Sequence, residues 1–252
     1  VARLTIEDQL RDGIARREFV VHYQPVVSLS TGEVRSHEAL VRWQHAERGL
    51  LAPGAFMQVA EDSGLIVDIG HQVLDAACAM MSAQPRLRRV SVNYSGVQLA
   101  HRDWCARVVD ALERHHVEPE RLVLEVTETA ALSLLDSTRR DFEALRARGV
   151  GLHVDDFGTG YSSISLLSDL PVTGVKLDMK FVRELTVHDS KANRLATGLA
   201  GLVEVLGLVG IAEGIETEGQ AAVLREQGWA HGQGYLFARP TAVPVLEVPP
   251  HL

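Results

Sequence analysis

From residue 53 onward the chain alternates helical and strand-like patterns without a break, and no other feature restricts its fold so far. Helical periodicity at 53–62 and 68–84 leads to a strand at Arg89–Tyr94, and a helix at 103–116 to Leu122–Val126. A helix at 136–148 precedes Val150–Asp155, and a short helix near 162–168 precedes Gly174–Asp178. Helices at 190–206 and 217–227 lead to Leu208–Glu213 and His231–Phe237. Strict alternation implies parallel strands joined by right-handed crossovers. The opening departs from this rhythm. Thr5 with Asp8 forms a capping-box pattern ahead of Leu10 and Ile14, and Phe19–Leu29 and Glu33–Trp43 then read as strands separated by Ser-Thr-Gly. So short a link makes an antiparallel hairpin, because a parallel crossover needs a dozen or more residues. Eight strands suggest closure, so the expected architecture is an α/β fold, a modified (β/α)8 barrel with an antiparallel first strand. No linker, repeat or low-complexity tract divides residues 1–252, and one domain is expected.

Composition narrows the function. Apolar residues make up 46 % and charged residues 23 %, enough for a full core. A net charge of −8 argues against binding a DNA or RNA polymer. Cys78 and Cys105 fall in helical stretches without metal-ligand spacing and read as reduced core thiols, so a cytoplasmic setting is expected. Gly198–Ala212 is interrupted by Glu204 and too short to span a bilayer, so no membrane contact by this domain is expected. No signal-peptide pattern follows Val1, and a start without methionine suggests excision from a longer protein.

In a (β/α) barrel the chemistry sits at the C-terminal ends of the strands. Those ends carry Glu38, Asn93, Glu125, Asp155 with Asp156, Lys176, Glu213 and Gln233. Any one of these carboxylates would read as a solvated loop charge or a helix cap; seven strand ends polar in step would not. Five carboxylates around one mouth repel unless cations join them, and hard oxygen ligands favour Mg²⁺, Mn²⁺ or Ca²⁺ over zinc. Adjacent Asp155 and Asp156 suit two neighbouring ions, as in two-metal phosphodiester cleavage. Lys176, one of three lysines, lies between Val175 and Leu177 in an apolar strand. Beside so many carboxylates it reads as a group that orients water or contacts phosphate rather than a snorkelling surface lysine. Gly158–Thr159–Gly160 makes a loop beside them.

At these residues the sequence resembles the EAL-domain family, over nearly its whole length. The resemblance rests on Gln24–Pro25, Glu38–Ala39–Leu40 with Arg42–Trp43, Asn93–Tyr94–Ser95, Glu125–Val126–Thr127–Glu128 and Asp155 to Ser163. It continues through Lys176–Leu177–Asp178, Ala212 to Thr217 and Gln233–Gly234–Tyr235–Leu236. The family implies a two-metal hydrolase of bacterial second-messenger signalling that opens cyclic di-GMP to linear pGpG with Mg²⁺ or Mn²⁺ (two ions). By position, Glu38, Asn93, Glu125 and Asp155 would hold one ion, and Asp155, Asp156 and Glu213 the second. Lys176 would orient the attacking water and Glu213 is the candidate base, with Glu38 also counted as catalytic. Gln24, Leu40, Arg42 and Gln233 would contact substrate. Glu128 would support the loop after Asp156, which in the family couples homodimerisation to metal binding. A covalent sensory or GGDEF domain upstream is expected, and the parent protein could be membrane-attached. The alternative is a catalytically silent cyclic di-GMP receptor of the same fold, whose hallmark would be a lost ligand; another metal-dependent barrel enzyme, such as one stabilising an enolate, would not need Gln24–Pro25 or the glycine loop. Departures from the family pattern are Ser28, Ser36, Met179–Lys180 in place of Arg-Ser, and His153. Alternation aims His153 into the barrel, either as a core histidine or as a perturber of Asp155.

Overall fold

The computed structural model describes residues 5–132, 136–158, 167, 170–185 and 191–248. Helix α1 (Ile6–Ala15) begins with the expected capping box, Thr5 and Asp8 bonding each other's backbone. Strands β1 (Phe19–Ser28) and β2 (Val34–His45) pair antiparallel, with Gln24 opposite Glu38. The parallel strands follow: β4 (Val90–Asn93), β5 (Leu122–Thr127), β6 (Gly151–Phe157), β7 (Gly174–Leu177), β8 (Val209–Ala212) and β9 (His231–Gly232). In space the order is β1-β9-β8-β7-β6-β5-β4-β2, and the β1–β2 pairing closes the ring. Strand β1 is antiparallel to both of its neighbours, so the result is a closed mixed barrel of eight strands.

Three expectations need adjustment. A short strand, β3 (Gly49–Leu51), folds back on the end of β2 outside the ring. The helix expected at 53–62 is a 3₁₀ turn, Pro53–Ala55, followed by α2 (Met57–Asp62), because Phe56 leaves helical geometry between them. The strand expected at 231–237 stops at Gly232. There the chain wraps around Ile215, whose N–H donates to Gln233 O and whose carbonyl accepts from Leu236 N. Gly234 lies so close to that backbone that a Cβ would fall 2.0 Å from the Ile215 oxygen. The helix expected near 162–168 lies outside the described residues, apart from Leu167.

The outer layer comprises α3 (Ile66–Ala83), α4 (Gly96–Leu99), α5 (Trp104–Arg114), α6 (Glu128–Leu132), α7 (Asp136–Arg148), α8 (Met179–Arg183), α9 (Lys191–Val205) and α10 (Glu218–Glu226). A hairpin has no crossover helix of its own, so the outside of β1 and β2 needs another cover. Helix α3 supplies part, accepting from Tyr23 Oη at Ala76 O (3.3 Å). The C-terminal segment supplies the rest, through a bridge between Tyr23 and Thr241 and a 2.7 Å contact from His37 Nε2 to Val245 O. Both cysteines are free, with Cys78 buried. No helix among the described residues is long and apolar enough to cross a membrane.

Candidate active site

The interior of the barrel mouth is organised around Lys176. Its flanking residues, Val175 and Leu177, are fully buried in the apolar outer layer, so strand alternation turns the lysine inward, where it is 0 % exposed. Its Nζ lies 2.6 Å from Glu213 Oε1, 2.8 Å from Glu125 Oε2, 3.1 Å from Glu38 Oε2 and 3.8 Å from Asp155 Oδ1. Amides from two further strand ends complete the set. Asn93 Nδ2 donates to Glu38 Oε1 (2.6 Å), and Gln233 Nε2 donates to Glu38 Oε2 (2.7 Å) and Gln24 Oε1 (3.1 Å).

One ammonium cannot balance four carboxylates, and the proton affinities record this. Burial lowers the affinity of Lys176 for its proton, but Asp155, Glu125, Glu213 and Glu38 outweigh it and hold the lysine charged well beyond its ordinary range. Glu38 is driven up by burial but ends below its usual value because Lys176, Gln233 and Asn93 all favour its anion. Glu125 has less help: burial and the charges of Glu38 and Asp155 push it to about 8. Burial raises Glu213 strongly as well, with Asp155 and Glu38 adding to the effect. The site therefore binds protons wherever it lacks positive charge.

Asp155 and Asp156 would point to opposite faces of a regular strand. The β6–β7 register breaks between Val154 and Phe157, and Asp156 takes a left-handed backbone (φ 55°). Aspartate tolerates that region better than most residues, yet it remains a costly conformation of the kind that clusters at functional sites. Asp156 N–H donates to Asp155 Oδ1 at 2.9 Å. Burial, Asp155 and Asp178 together raise Asp156 to about 6. Asp155, Asp156 and Glu213 offer oxygens that all lie within 4.8 Å of one another. Hard oxygen donors in excess over Lys176 fit a hard divalent cation such as Mg²⁺, Mn²⁺ or Ca²⁺. Just beyond, buried Glu128 accepts from Gly158 N–H through Oε2 (3.3 Å). The rest of the expected loop, from Thr159 to Ser163, lies outside the described residues.

A cavity of about 330 Å³ opens over this cluster. Of the residues expected to contact substrate, Gln24, Leu40 and Gln233 line it. Arg42 does not. Its guanidinium folds back onto Val41 O (2.8 Å), and burial there lowers its proton affinity, an effect that Glu38 partly offsets. The wall also contains Met179, Arg183, Glu216 and Tyr235, none of which was singled out for a role. Glu216 and Tyr235 sit inside motifs that carry the family resemblance, whereas Arg183 lies about one helical turn beyond such a motif. His153 is buried against Gly174, where a Cβ would lie 2.7 Å from its ring, and burial with the nearby Lys176 charge lowers it to about 3. It is a neutral core histidine, while Asp155 is governed by burial, Lys176 and Glu38.

Fold and site together define a (β/α) barrel with an acidic, oxygen-rich mouth centred on a buried lysine. The EAL domain model matches residues 7–240, and the chain belongs to that family. It is 42 % identical over 242 residues to the bifunctional diguanylate cyclase/cyclic di-GMP phosphodiesterase MucR of Pseudomonas aeruginosa, covering 94 % of this chain and 35 % of MucR. It is 38 % identical over 249 residues to the cyclic di-GMP phosphodiesterase NbdA of the same organism, covering 97 % of this chain and 32 % of NbdA. The chain thus spans about a third of the length of these relatives. The solved PaMucR phosphodiesterase in complex with c-di-GMP superposes with a TM-score of 0.89 at 42 % identity, covering 94 % of this chain and 98 % of that one.

Proposed function

We propose that the chain is a Mg²⁺- or Mn²⁺-dependent phosphodiesterase that hydrolyses cyclic di-GMP to linear pGpG, as one domain of a longer bacterial signalling protein. The observation that carries this reading is the set of four carboxylates around buried Lys176, continuous with the close oxygens of Asp155, Asp156 and Glu213. Its relatives' named activity supplies the substrate. Glu38, Asn93, Glu125 and Asp155 would hold one ion and Asp155, Asp156 and Glu213 the other. When bound, the ions supply Lewis-acid polarisation of the phosphoryl oxygens and a more acidic attacking water.

The protein's own groups do the rest. Gln24, Leu40 and Gln233 orient the nucleotide, and Arg42 reaches it by swinging off the Val41 carbonyl. Lys176 keeps its proton and aims Nζ at the attacking oxygen. Glu213, whose Oε1 lies 2.6 Å from Nζ, takes the water proton. Water oxygen bonds to one phosphorus in line as the bond from phosphorus to the departing sugar oxygen breaks, and that oxygen leaves with the electron pair and takes a proton from solvent. Glu128 supports the loop after Asp156, and a homodimer forms beside the helices that follow it.

Incubation with cyclic di-GMP and Mg²⁺ or Mn²⁺, followed by product chromatography, tests this reading. Appearance of pGpG that chelator abolishes supports it, whereas equal turnover in chelator sinks the mechanism. Tight binding without turnover would instead favour the silent receptor, although every metal-ligand position is filled here.

A further inference from the structure

Arg183 is a cation that none of the chemistry above uses. It closes α8 on the wall of the substrate cavity, one turn after Met179, and both side chains line that cavity. It is exposed and, among the described residues, makes no hydrogen bond or ion pair, though Glu216 shares its wall. Its place in the ring explains its use. Strands β2 and β7 are diametrically opposed, with β1, β9 and β8 between them one way and β4, β5 and β6 the other. Arg42 on β2 and Arg183 on the helix after β7 therefore belong to opposite sides of the mouth. The cavity runs from Leu40 on β2, two residues before Arg42, to Met179 and Arg183.

Cyclic di-GMP is itself two-sided, with a guanylate half on either side of the ring. We propose that Arg183 binds the guanylate half farther from Arg42, donating two parallel hydrogen bonds to paired acceptors. This rests on the proposed function. Phosphoryl oxygens and guanine O6 with N7 both offer such pairs to a guanidinium fork. A single substrate molecule is then gripped from opposite sides of the barrel, with the scissile phosphate held over the carboxylates between.

The test compares Arg183→Ala, Arg183→Lys and the double variant Met179→Arg/Arg183→Ala with the natural chain. It uses steady-state hydrolysis of cyclic di-GMP, and Kd with Ca²⁺ in place of Mg²⁺. Arg183→Ala should raise KM and Kd roughly tenfold while kcat stays within about twofold, as expected for losing a charged hydrogen bond made equally in ground and transition states. Arg183→Lys should recover only part, because lysine cannot form the bidentate fork. The double variant should recover most of it, since positions 179 and 183 share one helix face. Inhibition by cyclic di-AMP separates the two acceptors: a matching loss identifies phosphoryl oxygens, and a loss confined to the guanine nucleotide identifies the base edge. An unchanged KM and Kd in Arg183→Ala would overturn this inference alone. Absence of both binding and hydrolysis in the natural chain would overturn the proposed function and this inference with it.

Discussion

At Lys176 a fully buried ammonium stands among carboxylates that would each be costly to bury without it. Removing one member of a buried charge network leaves the others uncompensated, at a cost of about 3–5 kcal/mol. Lys176→Met should therefore show that order of loss in urea unfolding with chelator present, and Mg²⁺ should return part of it. Glu213→Gln keeps size and shape but removes both the proton acceptor and a charged ligand of the second ion, so even at saturating metal kcat should fall roughly 10²- to 10⁴-fold with little change in substrate Kd. A near-normal kcat in that variant would move the base elsewhere. The raised carboxyls add a pH signature. Glu125 binds a proton up to about 8 in the fold but near 4.5 when free, so below 4.5 the two states bind it alike. Between those values the folded state holds the extra proton, and metal-free stability should fall as pH rises through that window. Saturating Mg²⁺ should flatten the slope in denaturation curves taken from pH 4.5 to 8.5, because the bound ion displaces those protons.

At the scale of elements, strand alternation made most of the site legible. A polar residue at the end of one apolar strand after another is visible in the sequence, and all seven strand ends meet at the mouth. What stayed hidden depends on departures from alternation. The register break that brings Asp155 and Asp156 together leaves no local mark beyond the Asp-Asp pair, since its cause is the pairing of β6 with β7. Likewise, Arg183 looks like any surface residue of a short helix until ring closure sets β7 opposite β2. The pairing of His153 with Gly174 is a third case. The two are in register on adjacent strands, and the missing side chain of one makes room for the imidazole of the other. Gly174→Ala would put a methyl 2.7 Å from His153 and 2.9 Å from the Val209 carbonyl. Overpacking of this kind costs about 1–3 kcal/mol. His153→Ala in the same chain should relieve only part of that, because the strand carbonyl cannot step aside as a side chain can. Full recovery in the double variant, by thermal or urea unfolding, would place all of the strain on the imidazole.

At the scale of the whole molecule, the proposed homodimer would connect assembly with chemistry through helix α9. That helix packs on the barrel through Ala192, Ala196, Ala200 and Val203, yet also exposes Leu195, Val205 and, just past its end, Leu206. Val205 is 84 % exposed. Leu195 and Val205 lie ten residues apart, about 2.8 helical turns, so they flank one broad outer face that a second copy could cover. That face belongs to the helix that packs near Gly158, where a Cβ would sit 3.4 Å from Leu199 of α9 and 3.0 Å from Phe181 of α8. Glu128 holds the same glycine's N–H from the other side. A contact that fixes α9 therefore also favours one position of Gly158, two residues from Asp156. By linkage, coupling of about 1–3 kcal/mol would make dimerisation and metal binding strengthen each other 5- to 150-fold. Val205→Glu should then shift light scattering toward the monomer and weaken the Mg²⁺ or Mn²⁺ response of hydrolysis, and Glu128→Ala should weaken the metal response more than it weakens folding. Activity per subunit should fall on dilution, and saturating metal should oppose the fall because bound metal favours the dimer in turn. A monomer with full activity and unaltered metal affinity at every concentration would leave the Lys176 site intact and remove the coupling.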